Sequence, residues 1–291
     1  MPLNKSLFYA IFTLLFFSIS PHALAKDSIT WLEANAPPFF IHEGDLKGQG
    51  YEDLITQILI EQLPQYEHTH MEANISRHYQ QWKQGEKSCS LAMYKTTERE
   101  KFAYFSIPSV ITLPTVLIIK KDNFHKFGDN KTVNLQHLLN SNDFIIGRSN
   151  NRSYGVVFDN VLNKYGNDTN IFSFEGSELS LNLFKMLIAG RIDALAGLPE
   201  EAMYLAETLG FKDQIMTLNI TENQIDYGAS LTYVACSKTD WGKKTIDEIN
   251  TVLLLQRSTT RYRAAYERWL DPSSIENYRQ LYKEAFLTTT E

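Results

Sequence analysis

The strongest constraint on the fold of this chain is a unit that occurs twice. Gly85-Glu86-Lys87-Ser88-Cys89-Ser90-Leu91 ends a short helical stretch over 79–84 and opens an apolar run. Gly190-Arg191-Ile192-Asp193-Ala194-Leu195-Ala196 does the same about a hundred residues later, to within one residue of register. Both lie in segments that switch repeatedly between short β-like runs and helical periodicity, the pattern of a parallel α/β sheet. Two copies of one βα unit imply two similar lobes.

In the first copy, strands are expected over 28–32, 68–73 and 88–94. Between the first two, Tyr51, Leu54, Ile55, Ile58 and Leu59 fall at helical spacing and Pro64 ends the helix. Glu33-Ala34-Asn35-Ala36-Pro37-Pro38 is forced out of helix and ladder by its prolines. In the second copy, strands are expected over 144–147 and 170–174, with helices over 153–165 and from a Ser177 cap to Gly190. The last third reads as helices over 240–256, 259–270 and 271–286, with no third copy. Asp271 is expected as the N-cap of the last helix and Pro272 as its first residue.

Lys5, an apolar run from Leu7 to Ile19 and Ala23-Leu24-Ala25 have the form of a cleaved secretory signal over 1–25. The run is about 13 residues, short of the roughly 20 that span a bilayer. A periplasmic location follows as an expectation. With 43% hydrophobic and 21% charged residues, the 291-residue chain is neither disordered nor a coiled coil, and it is long enough for two domains. A net charge of −6 and no basic run leave nucleic acid without an electrostatic footprint.

Catalytic and cofactor signatures are missing. There is no Gly-x-Ser-x-Gly, no Gly-x-x-x-x-Gly-Lys and no His-Glu-x-x-His, so no cofactor is assigned. His68 and His70 point to one face of a strand, but spacing identifies no third ligand and no metal is assigned.

The most specific segment is Tyr94-Lys95-Thr96-Thr97-Glu98-Arg99-Glu100-Lys101-Phe102-Ala103-Tyr104-Phe105-Ser106-Ile107-Pro108. With Pro37-Pro38-Phe39, Gly50-Tyr51-Glu52-Asp53-Leu54 and Gly190-Arg191-Ile192-Asp193-Ala194, it resembles, in order, the periplasmic type 2 solute-binding proteins of the amino-acid-binding kind (family 3). The resemblance spans roughly 28–287 and implies a two-lobed α/β fold with two hinge strands, near 111–116 and 227–232, and a ligand cleft between the lobes. Lobe 1 is expected from 27–112 and 231–287, lobe 2 from 113–230.

The resemblance also implies site roles. Arg99 matches the arginine that forks onto a ligand carboxylate; otherwise it is a surface arginine pairing with Glu98 or a neighbour one turn away. Tyr94 stands where many relatives hold the ligand with Ser or Thr. Glu33 and Asn35 end the first strand, where relatives place an acidic and a polar contact. Arg77 lies in the loop after the second strand, where it either faces the cleft or is exposed. Ser149 and Asn150 match the lobe 2 loop that offers amides to an anion, and Arg148 stands where that loop usually carries Gly. Relatives that bind α-amino acids place an Asp near Leu198-Pro199, whereas here Glu200 comes one or two residues late. A carboxylate-bearing ligand other than a plain α-amino acid is expected. A cationic ligand held by Glu33 and Glu200 is the opposing reading.

Two cysteines in an exported chain invite a bridge. In the fold the resemblance implies, Cys89 and Cys236 lie on neighbouring antiparallel strands, so a disulfide is expected between them. The function expected is capture of a small polar solute by a monomer, for a membrane transporter or sensory receptor, without catalysis. The alternatives are a dehydratase-like enzyme, needing Glu33 or Glu200 in the cleft, and an interaction module without a ligand.

Overall fold

The computed structural model describes residues 26–149, 153–174, 181–225 and 230–290. The leader expected over 1–25, Asn150, the expected Ser177 cap and the expected start of the second crossing at Tyr227 lie outside them.

The first sheet is built from β1 (Asp27–Glu33), β2 (Tyr66–Glu72), β3 (Ser88–Met93), β4 (Ala103–Ile111) and β11 (Leu231–Ser237). Its order is β2-β1-β3-β11-β4. β1 runs parallel to β2 and β3, and β11 is antiparallel to β3 and β4. Strand β1 is flanked on both sides, by β2 and β3, and buries Ile29, Trp31 and Leu32. Polar β2 takes the edge, where burial on one face suffices.

The second sheet contains β5 (Val116–Lys120), β6 (Thr132–Val133), β7 (Ile146–Ser149), β8 (Ile171–Phe174), β9 (Ala194–Gly197) and β10 (Ile215–Ile220). Its order is β6-β10-β5-β9-β7-β8. On β5, Leu117 and Ile119 join one apolar cluster and Val116 and Ile118 the other. The period of two thus fills both faces of this sheet.

Helix α1 (Tyr51–Gln62) starts where Asp53 Oδ2 accepts the amides of Gly50 and Ile41, both at 2.9 Å. A Cβ on Gly50 would lie 2.1 Å from the Phe39 carbonyl oxygen, so only glycine fits this entry. Helices α2 (Ile75–Lys83), α3 (Leu135–Ser141), α4 (Val156–Tyr165), α5 (Leu181–Ile188) and α6 (Pro199–Thr208) follow their strands.

The last third forms α7 (Asp240–Gln256), α8 (Thr260–Glu267) and α9 (Ile275–Leu281). It packs on the first sheet, contributing Tyr262, Tyr266, Trp269, Tyr278, Tyr282 and Phe286 to one core with Trp31, Ile55 and Val110. Asp271 does not cap the last helix. That helix starts at Ile275, and buried Asp271 accepts hydrogen bonds from Thr217 of β10 at 2.5 Å and from Ser274 at 2.7 Å. Its other oxygen accepts from Ser273 N–H at 2.9 Å and Ser273 Oγ at 2.6 Å, so the local bond forms on a turn that precedes the helix, and the buried carboxylate is satisfied on both sides.

The chain passes between the sheets over 112–115, and Thr112 N–H donates to the Ser230 carbonyl at 3.1 Å. This bond ties the first connection to the residue just before β11. Cys89 and Cys236 are direct partners on β3 and β11, with Cα atoms 4.1 Å apart, and form the disulfide. Its sequence separation of 147 gives about 4 to 5 kcal/mol by loop entropy. No helix among the described residues is long and apolar enough to cross a membrane.

Candidate functional site

Parallel α/β sheets bind ligands at the carboxyl ends of their strands. In the first sheet β1, β2 and β3 end on one edge, which carries Glu33, Glu72 and the segment after Met93. The register of β3 against β11 shifts between Tyr233 and Ala235, and Ala92 takes φ +48°. This bulge turns the chain into the Tyr94–Arg99 segment, a use of bulges common beside binding sites.

Arg99 is half-buried in a short 3-10 turn. Its Nη1 donates to the Tyr94 carbonyl at 2.7 Å, and its guanidinium lies 5.4 Å from the centre of the Tyr79 ring. One N–H and one face are thereby engaged, out of five donors and two faces. Glu98 pairs with Lys101, so the surface pair that would make Arg99 a bland residue goes to another partner. The Tyr94 side chain is 51% exposed on the same edge.

Glu33 is only 8% exposed. Its Oε1 lies 2.5 Å from His70 Nδ1 and its Oε2 3.2 Å from His42 Nε2, while His42 Nδ1 lies 2.9 Å from Glu72 Oε2. Asn35, two residues on, is exposed. His68 does not join His70: its Nδ1 accepts from Trp31 Nε1 at 3.1 Å and its Nε2 donates to the Leu63 carbonyl at 2.9 Å. Beside Glu33, burial pushes the Glu52 carboxyl well above the usual range, and the neighbouring Asp53 and Glu33 charges add to this. Burial also raises Asp53, against the two amides that donate to it.

Two placements differ from those expected, Arg77 and the start of the helix after β7. Arg77 lies in the first turn of α2 rather than in a loop, exposed and bonded to Gln80 at 2.9 Å, because Asn74 caps the helix just before it. In the second sheet, half-buried Arg148 and fully buried Ser149 end β7, but the Ser149 amide donates to Tyr154 Oη at 2.7 Å. Helix α4 starts at Val156 instead of Ser153, and Asp159 accepts from Tyr154 N–H at 3.0 Å and Ser153 Oγ at 2.5 Å. Glu200 opens α6 and is 0% exposed. It accepts from Tyr266 Oη at 2.8 Å, and the same oxygen takes the Leu113 amide at 2.9 Å. Burial, then the Glu200 charge, hold the Tyr266 phenol far above its usual pKa.

His42, Asp53 and Tyr266 were absent from the sequence expectations. The only local sign of His42 is a polar residue ending the apolar run Pro38-Phe39-Phe40-Ile41. Asp53 reads as an ordinary first-turn acid, and nothing near Tyr266 marks its partners.

No family model matches the sequence, and no curated protein does either. Solved structures match in fold. An ancestral cationic amino acid solute-binding protein is 18% identical, with 84% of this chain and 96% of that one covered at a TM-score of 0.64. A substrate-binding protein of a polar amino acid ABC uptake transporter from Streptococcus thermophilus is 16% identical, with 88% and 91% covered at 0.61. An ancestral cyclohexadienyl dehydratase is 16% identical, with 84% and 92% covered at 0.53. The chain has the two-lobed α/β fold of these proteins.

Proposed function

We propose that this protein is a periplasmic solute-binding protein that encloses a small carboxylate-bearing metabolite and presents it, as a monomer, to a membrane transporter or sensory receptor. Lobe 1 is 27–112 and 231–287, and lobe 2 is 113–230. The observation that carries the reading is Arg99. Its guanidinium is held by the Tyr94 carbonyl and the Tyr79 ring at the carboxyl edge of parallel strands, which suits a planar carboxylate. Tyr94 supplies an exposed aromatic wall beside it. Neighbours named for amino acid uptake and cationic amino acid binding support a binding role. Leu198, which precedes α6, offers no partner to an α-ammonium group, so the ligand is not a plain α-amino acid.

The dehydratase among the neighbours favours one further reading, catalysis on the same fold. That reading needs an accessible carboxylate in the cleft. Glu33 is engaged by two histidines and Glu200 is buried against Tyr266, which weighs toward binding, and weighs equally against a cationic ligand held by those two acids.

The experiment is to purify the protein from its own compartment, denature it and identify the released small molecule by mass spectrometry. A carboxylate whose affinity falls on Arg99→Ala is expected. A plain α-amino acid overturns the ligand class, and turnover of the compound overturns the binding reading.

A further inference from the structure

The cluster behind Glu33 contains more than a hydrogen-bonded pair. Glu33, His42 and Asp53 each turn one metal-ligand type of atom inward, all within 4.8 Å of one another. His42 Nε2 is buried and makes no hydrogen bond, although it lies 3.2 Å from Glu33 Oε2. Four bonds of about 2.0 to 2.1 Å in a tetrahedron place ligand atoms roughly 3.3 Å apart. The His42–Glu33 edge already has that length, and Asp53 needs to close by about 1.5 Å at most.

The surroundings also fit a metal. His42 Nδ1 faces Glu72 Oε2 at 2.9 Å, so with a proton on Nδ1 the lone pair sits on Nε2, toward the cluster. A carboxylate behind an imidazole in this way is the usual orienting partner of a metal-ligating histidine. His70 fixes the other oxygen of Glu33 at 2.5 Å, and two backbone amides fix Asp53 Oδ2. Three carboxylates, of Glu33, Asp53 and Glu72, crowd two imidazoles, and a divalent cation balances them. One imidazole nitrogen with carboxylate oxygens is a borderline donor set suited to zinc rather than to calcium, which takes six to eight oxygens.

We propose that Glu33, His42 and Asp53 bind a divalent cation of the zinc class, with Glu72 and His70 as positioning residues and a fourth coordination position open. The site is on the carboxyl edge of the first sheet that also carries Arg99, but its occupancy does not depend on the solute reading, because metal binding is measured without solute.

The test is equilibrium dialysis of the tag-free, chelator-treated chain against Zn2+, with metal quantified by mass spectrometry. One equivalent is expected, not displaced by millimolar Ca2+ or Mg2+, and Co2+ in its place should give visible absorption of a low-coordinate site. His42→Gln should weaken Zn2+ binding by at least tenfold and Glu72→Gln by about tenfold. His125→Gln, on the exposed turn after β5, should change nothing. Because a cluster variant risks misfolding, ring-proton NMR of the unmodified chain is the second readout: His42 resonances should shift and saturate at one equivalent. Absence of stoichiometric Zn2+, equal displacement by Ca2+, or His42 resonances indifferent to Zn2+ each overturns the site. Arg99→Ala should leave Zn2+ binding intact, which separates its failure from failure of the carboxylate reading.

Discussion

Tyr266 donates its phenolic proton to Glu200 at 2.8 Å while accepting the Leu113 amide. One hydroxyl thus joins α8, the opening turn of α6 and the first connection between the sheets. Thr217 to Asp271 and the Tyr204–Trp269 ring contact make two more ties from the C-terminal helices to the second sheet's side. Tyr266→Phe removes a buried donor and a buried acceptor at once. It should cost about 1 to 3 kcal/mol, read as a lower urea midpoint. An unchanged midpoint would mean the hydroxyl contributes nothing to holding this junction.

The Cys89–Cys236 bridge makes a second prediction. Replacing both cysteines with Ser should lower unfolding free energy by about 2 to 5 kcal/mol, measured in guanidinium without reductant. Titration of the unmodified, denatured chain with a thiol reagent should find no free thiol among its two cysteines.

For Arg99, truncation to Ala should weaken the carboxylate ligand by about 2 to 5 kcal/mol in calorimetry, with the thermal unfolding of the ligand-free protein unchanged. Lys at this position keeps the charge but loses the fork, and should recover only part of the affinity. Full recovery by Lys would argue against a two-pronged contact.

Acid sensitivity should come from Glu267. Hydrogen bonds from Arg279, and then Arg263, hold its carboxyl below the ordinary value of 4.5 against the opposing effect of burial. A depressed folded value means this stabilisation is present above the unfolded pKa and is lost as pH falls through the folded one. Glu267→Gln should therefore destabilise the protein at pH 7, with the gap to the unmodified chain narrowing below about pH 4.5. A gap that stays constant down to pH 3 would contradict this.

What the sequence made legible was local. The helix from Tyr51, its end before Pro64, and the strand leading to Arg99 are written in periodicity and in proline and glycine punctuation, and they stand where those signals put them. Other positions depend on partners far along the chain. Asp271 has a cap's sequence, but one of its oxygens is held by Thr217 of β10, which no local signal reveals. The bond of Tyr266 to Glu200 cannot be read without the fold, because 66 positions separate the two residues. His42 was invisible because only the return of 34–50 onto the ends of β1 and β2 brings it to Glu33 and Glu72.

The position of β11 has a consequence for how the molecule is made. Strands β3 and β4 are not adjacent: β11, over 231–237, is inserted between them, whereas all six strands of the second sheet lie within 116–220. A chain emerging from the ribosome amino end first completes the later sheet while the earlier one still has a missing slat. The first sheet cannot close until residue 237 has been synthesised, and its helical cover over 240–286 arrives later still. The first sheet is thus completed only by a strand that follows every strand of the second.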